Sequence, residues 1–291
     1  MQKITSFIER LKNKLQTIED KMLKFLDESE IERFRNDPNS SIVFIGSPFY
    51  WKELKEPGKI MQMELKKLYS EWFEHFYLLL SSASNQAIEE AKETNSFITE
   101  WIEHCSGWGT PATIEEAKTK FKEGIKFFYD YLKILSNSRD NSLILIPDTN
   151  SLIDEPDITK YSCLVGISQY TIILLPTVLE ELDKLKIHHR EPEFRNKIES
   201  IIRRIKGFRN QGELSKGVTI NKSITVKAIA MEPDFNKTLK WLDYSNNDDK
   251  IIASALEVQK EYPSATVILL TSDINLQNKA DMAELPTMEL P

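Results

Sequence analysis

Carboxylates follow the apolar runs in the second half of the chain, where an acid is unfavourable unless something uses it. Four segments carry them: Asp148 follows LILIP, Glu180 and Glu181 follow YTIILLPTVL, Asp248 and Asp249 begin DDKIIASALEV, and Asp273 follows ATVILLTS. Single acids at such places also serve in turns and as helix caps. Four that converge would repel one another, and a hard divalent cation, Mg²⁺ or Mn²⁺, is the usual way to stabilise them. The pattern predicts a site for one or two such ions, able to activate water and to neutralise a phosphodiester in its transition state.

The same apolar runs predict the scaffold that positions these acids. LILI, YTIILL, ITVKAIA and ATVILLT show no polar alternation, and helical segments separate them. Strands of this kind are typical of a parallel sheet that is covered by helices on both faces. Ligands of such sheets bind at the carboxyl ends of the strands, which is where the acids lie.

The first 140 residues have a different pattern of apolar residues, which predicts helices almost throughout. Apolar residues recur at helical spacing, and we expect the aromatic ones to form the core of a helical bundle; they are Trp51, Trp72, Phe73, Phe76, Tyr77, Trp101 and Trp108. One apolar run predicts a short strand or extended segment at Ile42–Ile45, before a break at Ser47 and Pro48. The polar stretch SNSRDNS places the domain boundary near residue 140.

The composition excludes several classes of protein. The chain has 291 residues, 41% of them hydrophobic, which is too apolar for a disordered chain. A net charge of -7 gives no general attraction to nucleic acid or to anionic membranes, so such binding requires a local patch. No apolar run approaches a membrane span, and the N-terminus is not typical of a signal peptide. We expect a cytoplasmic protein in which Cys105 and Cys163 are reduced packing residues.

Taken together, PDTNSLID, LPTVLEELDKLK, NNDDKIIASALEV and LLTSDINLQNKA resemble the four acidic motifs of the PIN-domain nucleases, in the family's order. The resemblance covers residues 141–291 and implies a three-layer α/β/α sandwich with a parallel sheet, here preceded by an all-α domain over residues 1–140. It implies cleavage of single-stranded or structured RNA with a divalent metal, and therefore an endoribonuclease. By position in the motifs, the catalytic and metal-binding acids are Asp148, Glu181, Asp249 and Asp273.

Four further residues are expected to support these acids. Asn150, in the intact D-T-N motif, would hydrogen-bond to Asp148, and Asp248 would cap its helix or assist directly. Thr271 and Ser272 would contact water or the metal shell. The adjacent histidines at positions 188 and 189 cannot both face one metal from a helix, so they are left out of the site.

A basic window runs from Lys184 to Arg209, with nine Lys or Arg residues against three Glu residues. It begins three residues after Glu181, so RNA phosphates near the acids would meet it. We expect RNA contacts from Lys184, Lys186, Arg190, Arg203, Arg204 and Lys206. The alternative is a charged helix face that serves solubility.

Other functions remain open at this level. A haloacid-dehalogenase-like phosphatase is disfavoured because Asn150 stands where its second acid belongs, and a Rossmann protein because PDTNS has no glycine. A non-catalytic RNA-binding or assembly module with the same fold is the alternative to a nuclease. The helical half would select a substrate or bind a protein partner, and the nuclease could be the toxic effector of a regulated or defence system. The oligomeric state is left open.

Overall fold

The computed structural model describes residues 5–34, 48–107, 109–137, 142–162, 166–221 and 223–290. The chain forms two compact units, one comprising Arg10–Asn137 and the other built around Ser138–Pro291. The segment predicted at Ile42–Ile45 lies outside the described residues, as do Trp108 and Cys163.

Four long helices make up most of the first unit. They are α1 (Phe7–Asp27), α2 (Glu56–Leu78), α3 (Asn85–Ile102) and α4 (Ile114–Ser136), with a 3-10 turn at Leu79–Ser82. The predicted helical N-terminal region is confirmed. In addition, β1 (Ile31–Arg33) and β2 (Phe49–Trp51) form an antiparallel pair that was not predicted. The second of these strands consists of three aromatic residues, a composition that favours strands.

Aromatic side chains fill much of the core of the helical unit, as predicted. Trp72 and Phe76 are almost fully buried, and the ring of Trp72 packs edge-on against that of Phe128 at 5.0 Å between centroids. Trp51 and Trp101 are also buried and meet edge-on.

Two residues depart from their prediction as packing residues. Tyr77 is exposed, because it directly follows the buried Phe76 on α2 and neighbouring positions on a helix point about 100° apart. The free thiol of Cys105 is exposed as well. The reason is its position after the end of α3, beyond the buried face of that helix.

The second unit is an α/β fold with a mostly parallel sheet, as predicted. Its six strands lie in the order β5-β6-β4-β3-β7-β8. They are β3 (Leu143–Pro147), β4 (Tyr170–Leu174), β5 (Val218–Ile220), β6 (Ile224–Ala228), β7 (Thr266–Leu270) and β8 (Thr287–Met288). The four predicted strands are the central four. The two edge strands were not predicted, and β5 pairs antiparallel with β6, so the sheet is not entirely parallel.

Helices flank this sheet and connect its strands. They are α5 (Thr149–Asp154), α6 (Pro176–His188), α7 (Pro192–Arg209), α8 (Asn247–Glu261) and α9 (Ile274–Met282), with 3-10 turns at Ile158–Lys160 and Phe235–Lys237. Prolines begin both α6 and α7, at the position where a missing N–H is tolerated. Among the helices of the described residues, none is long and apolar enough to cross a membrane.

Strand register brings several chain segments to one edge of the sheet. All five residues of β3 are buried, and Pro147 at its end lies opposite Leu270 at the end of β7. The residues that follow these two strands therefore emerge side by side at the carboxyl edge of the sheet. The helices α5 and α9 begin there.

Candidate active site

Asp148 is fixed where β3 passes into α5. Its N–H donates to the carbonyl of Leu270 at 3.0 Å, and its Oδ1 accepts from the N–H of Ser151 at 2.7 Å. The Ser151 hydroxyl donates to the same Leu270 carbonyl at 2.9 Å. Asp148 is the N-cap of α5 and is only 4% exposed. One of its carboxylate oxygens is engaged in the cap, which leaves the second for another ligand.

Glu181 lies on α6, and neutral donors hold both of its carboxylate oxygens. The hydroxyl of Thr149 donates to Oε2, and the side-chain amide of Asn247 donates to Oε1 at 2.7 Å. By contrast, the neighbouring acid Glu180 is exposed and forms an ion pair with Lys184 at 2.6 Å. Glu181 is therefore the acid of α6 that the structure orients toward the other segments.

Asp248 and Asp249 lie in the first turn of α8, and the side chain of Asn246 caps both of their N–H groups. Asp249 is 6% exposed, and its Oδ2 accepts from the N–H of Asp243 at 2.8 Å. Its Oδ1 lies 2.7 Å from the ammonium of Lys279, a residue of α9. The same ammonium lies 3.2 Å from Oδ2 of Asp248.

Two opposing effects act on Lys279. Desolvation acts to lower its pKa, but the hydrogen bonds to Asp249 and Asp248 outweigh it, and the pKa of Lys279 lies above the ordinary value for lysine. At neutral pH the side chain is therefore positively charged beside the two acids of α8.

Asp273 caps α9 in the same way that Asp148 caps α5. Its Oδ1 accepts from the N–H groups of Asn275 and Leu276 at 2.7 and 3.2 Å. The hydroxyl of Thr271 accepts from the N–H of Asp273 at 3.1 Å. These hydrogen bonds fix the turn between β7 and α9 and leave the second carboxylate oxygen of Asp273 outside the cap.

These segments enclose a cleft of about 390 Å³. Its lining contains acids from four segments, together with polar and apolar neighbours: Asp148, Thr149, Asn150, Glu181, Lys184, Leu185, Asp248, Ile251, Asp273 and Leu276. We refer to it as the acidic cleft. Three of the four predicted catalytic acids line it. Asp248 lines it where Asp249 was expected, because the carboxylate of Asp249 is turned to the ammonium of Lys279 and to a backbone N–H.

The predicted supporting residues do not all lie in the acidic cleft. Asn150 lines the acidic cleft, but the Oδ1 of Asp148 is held by Ser151 rather than by Asn150. Thr271 is fully buried and fixes the turn before α9, whereas Ser272 is exposed. Contacts of these residues with water or with a metal shell stay a prediction.

The fold agrees with what comparison with known proteins shows. A model of the PIN domain family matches residues 145–290, which is half of the chain. The chain belongs to the PIN domain family. Members of this family are generally nucleases. The chain is 27% identical over 148 residues to the Transcriptional protein SWT1 of Homo sapiens, a match that spans 50% of this chain and 15% of that relative.

The side-chain oxygens of the PIN domain site are suitable ligands for a hard divalent ion. Every acid of the acidic cleft offers oxygen, the ligand that Mg²⁺ and Mn²⁺ prefer. Asp148 and Asp273 each use a single oxygen as a helix cap. In the described ranges, no group of three or more His, Cys, Asp or Glu side chains is arranged to hold a metal. Metal binding at the cleft stays a prediction.

Three residues of the PIN domain site were not predicted. Thr149 and Asn247 hold Glu181, and each adjoins a predicted site acid in the sequence, so hydrogen-bonding neighbours of the motif acids were the available signal. Lys279 gave no local signal, because its acidic partner Asp248 lies 31 residues away in the sequence.

The predicted RNA-binding residues of the PIN domain are spread over α6, α7 and the turn between them. Lys184 lines the acidic cleft, whereas Arg203 forms an ion pair with Glu199 at 3.2 Å. Lys206 lines a second cavity of about 820 Å³ between α6, α7 and the end of β6. The other three do not line the acidic cleft; they are Lys186, Arg190 and Arg204. The role of all six in RNA binding stays a prediction.

Proposed function

We propose that the PIN domain is a metal-dependent endoribonuclease that hydrolyses phosphodiester bonds in single-stranded or structured RNA. The observation that supports this most strongly is the acidic cleft, where Asp148, Glu181, Asp248 and Asp273 meet at the carboxyl edge of the sheet. Membership of a family whose members are generally nucleases supports the same chemistry. Carboxylates that lie close together repel one another, and a bound cation would relieve this repulsion.

One or two ions of Mg²⁺ or Mn²⁺ would be held by Asp148, Glu181 and Asp273, with Asp248 beside them in the cleft. A divalent ion bound there lowers the pKa of its water and neutralises charge on the phosphodiester. The chain's own part is orientation: hydrogen bonds from Thr149 and Asn247 fix Glu181, and helix caps fix Asp148 and Asp273.

RNA would approach across the basic window of α6 and α7, with Lys184 nearest to the cleft. We further propose a cytoplasmic enzyme that could serve as the toxic effector of a regulated or defence system. The alternative is a non-catalytic RNA-binding or assembly module. It is favoured by the geometry of the acids, because within the described residues no three of them form a group that could hold a metal.

A cleavage assay separates these functions. The full chain would be incubated with end-labelled single-stranded RNA, duplex RNA and single-stranded DNA of one sequence, with Mg²⁺, with Mn²⁺ or with EDTA. We expect internal cleavage of the RNA with metal and none with EDTA. RNA binding without cleavage in either metal would favour the non-catalytic module, and cleavage of DNA alone would replace RNA as the substrate.

We propose that residues 1–140 and 141–291 are separate domains and that the helical one selects the substrate or binds a protein partner. It carries 20 Lys and Arg residues against 23 Asp and Glu residues. This nearly balanced charge suits binding of a protein better than binding of RNA. The fragment 141–291 should keep catalysis and lose part of the full chain's substrate preference. An unchanged rate together with an unchanged preference would refute this role.

A further inference from the structure

The ammonium of Lys279 lies among oxygens of the acidic site. The group has three N–H donors, and three oxygens lie around it: Asp249 Oδ1 at 2.7 Å, Asp248 Oδ2 at 3.2 Å and Asn246 Oδ1 at 3.2 Å. The side chain of Asp249 is 8% exposed and that of Lys279 is 25% exposed, so the ion pair is largely removed from water. A lysine placed in this way is a built-in cation.

The other acids of the cleft have different partners. Glu181 accepts from neutral side chains, and Asp148 and Asp273 accept from backbone N–H groups. Within the described residues, none of these three acids forms an ion pair with a Lys or Arg side chain. The nearby Lys184 is paired with Glu180 instead. One positive charge therefore offsets one of the two negative charges at the acids of α8, while within the described residues no such ion pair offsets the charge of the other three acids.

We infer that Lys279 occupies the α8 side of the acidic cleft as a fixed cation, so that the PIN domain takes one divalent ion, held by Asp148, Glu181 and Asp273. This inference rests on the proposed metal site and chooses one ion over two. Asp249 then anchors Lys279 and is not a metal ligand. A second divalent ion at the acids of α8 would have to displace or face the ammonium, which like-charge repulsion opposes.

The number of bound ions tests this directly. Mn²⁺ would be titrated by calorimetry into the metal-free full chain and into Lys279→Met, which keeps most of the side-chain length and removes its charge. We expect one ion in the wild type and two in Lys279→Met. Two ions in the wild type, or one ion of unchanged affinity in Lys279→Met, would overturn the inference. No binding by the wild type would remove the metal site of the proposed function, and this inference with it.

Two further variants keep the test decisive if Lys279→Met folds poorly. Lys279→Arg retains the cation and should bind one ion. Asp249→Asn should also bind one ion, with an affinity within about threefold of the wild type, because Asp249 is not a ligand. Loss of the ion in Asp249→Asn would make Asp249 a ligand and overturn the inference.

A separate observation concerns the segment that leads into α8. Tyr244 is 72% exposed and Trp241 is 37% exposed, while Leu242 between them is buried and anchors the segment. The backbone is tied to the site, since the N–H of Asp243 donates to Asp249 at 2.8 Å. Exposed aromatic rings are thus held at a fixed place in the segment that supplies the acids of α8.

We propose that Tyr244, with Trp241, is a stacking platform for bases of unpaired RNA that flank the reacting phosphodiester. Unstacked bases are commonly recognised on exposed aromatic side chains, whereas paired bases in a duplex are not available for such stacking. The position of the two rings favours RNA as the occupant, because the chain continues from them directly into the acidic cleft. This proposal also rests on the proposed function and names unpaired RNA as its substrate class.

Binding without cleavage tests the platform. In an Asp148→Asn background, fluorescence anisotropy would measure the affinity for a short oligouridine and for an RNA duplex. Tyr244→Ala should weaken oligouridine binding about tenfold, the effect of removing one stacked base, and leave duplex binding unchanged. Tyr244→Phe, which keeps the ring, and Met231→Ala, an exposed apolar control in the preceding loop, should bind like the parent.

Equal oligouridine affinity in the parent and in Tyr244→Ala would overturn the platform. An equal loss of affinity in Met231→Ala would also overturn it, because a general apolar surface for a protein partner would then explain the exposed residues better. Cleavage of RNA by the wild type together with either of these results would leave the proposed function standing.

Discussion

The acids on the two sides of the acidic cleft have different hydrogen-bonding and ion-pair partners. On one side, Asp148, Glu181 and Asp273 receive hydrogen bonds from backbone N–H groups, a hydroxyl and an amide. On the other side, Asp248 and Asp249 face the ammonium of Lys279. The first arrangement orients carboxylates and keeps their charge, and the second offsets one of two negative charges with the ammonium of Lys279.

This difference between the two sides shows how a fold can hold several acids close together while some of them remain able to bind a cation. Neutral donors fix the direction of a carboxylate, while its net charge remains available to a cation or to a proton transfer. An internal lysine offsets part of the negative charge of the acids it touches and repels a second cation from them. If the two sides differ in this way, changes on each side should have different effects on cleavage and on stability.

The largest effect is expected on the side that keeps its charge. Asp148→Asn preserves the shape and the cap of α5, since asparagine caps helices as well as aspartate does. It removes a full negative charge from the cleft, so RNA cleavage should fall by about 100-fold or more. Asp183→Asn, an exposed acid of α6 that does not line the acidic cleft, is the matched control and should cleave normally. Cleavage by Asp148→Asn at the wild-type rate would remove the metal site.

A smaller loss is expected when a neutral donor is removed. Thr149→Val keeps the shape of the side chain and deletes the hydroxyl that donates to Glu181. Groups that orient metal ligands typically matter by about 10- to 100-fold, and we expect a loss of cleavage near the lower end, because Asn247 still holds the other oxygen. The activity of Thr149→Ser, which retains the hydroxyl, should stay close to that of the wild type. Equal activity in Thr149→Val would show that Glu181 needs no such support.

Stability without metal should change in opposite directions on the two sides. In EDTA, Asp148→Asn should melt at the same temperature as the wild type or higher, because it relieves repulsion between acids. Asp249→Asn weakens the ion pair with Lys279 and should melt a few degrees lower, for a loss of about 1 kcal/mol. Thermal unfolding followed by circular dichroism measures both. A lower melting temperature in both variants would mean that the two sides do not differ in charge as described.

Much of this arrangement could be predicted from the sequence, and the limits have physical causes. Asp148 and Asp273 follow buried strands directly, so the strand pattern alone places them at the edge of the sheet. Asp248 and Asp249 are adjacent, and neighbouring positions on a helix point about 100° apart. The choice between them depends on how Asn246 caps the helix and on Lys279, and a linear motif contains neither interaction.

The edge strands of the sheet illustrate a second limit. Strands β5 and β8 have three and two residues, too few for a period-2 pattern to be recognised. The long central strands and the helices between them were predicted because each has enough residues for a clear pattern. The exposure of Cys105 was missed because its position just after the end of α3 decides it, and helix ends are the least certain part of a sequence-based assignment.

The smallest expected effect concerns the basic window, where most of the charge lies outside the acidic cleft. Changing Arg203, Arg204 and Lys206 to Ala together should weaken RNA binding and flatten its salt dependence, because removing one phosphate contact reduces the salt slope by about one. The ion pair of Arg203 with Glu199 already engages one of these charges, so we expect a reduction of about two rather than three. Anisotropy titrations of labelled RNA at several salt concentrations measure this slope.

The control for this triple variant removes the same net charge from a surface that is not expected to bind RNA. It replaces three exposed lysines of α4 by Ala, namely Lys122, Lys126 and Lys133. Metal binding should stay intact in both triple variants, because none of the six side chains lines the acidic cleft. Equal RNA affinity and an equal salt slope in the two variants would assign the window to surface solubility. Lys184, which lines the cleft, would then be the basic residue of the window left to meet the reacting phosphate.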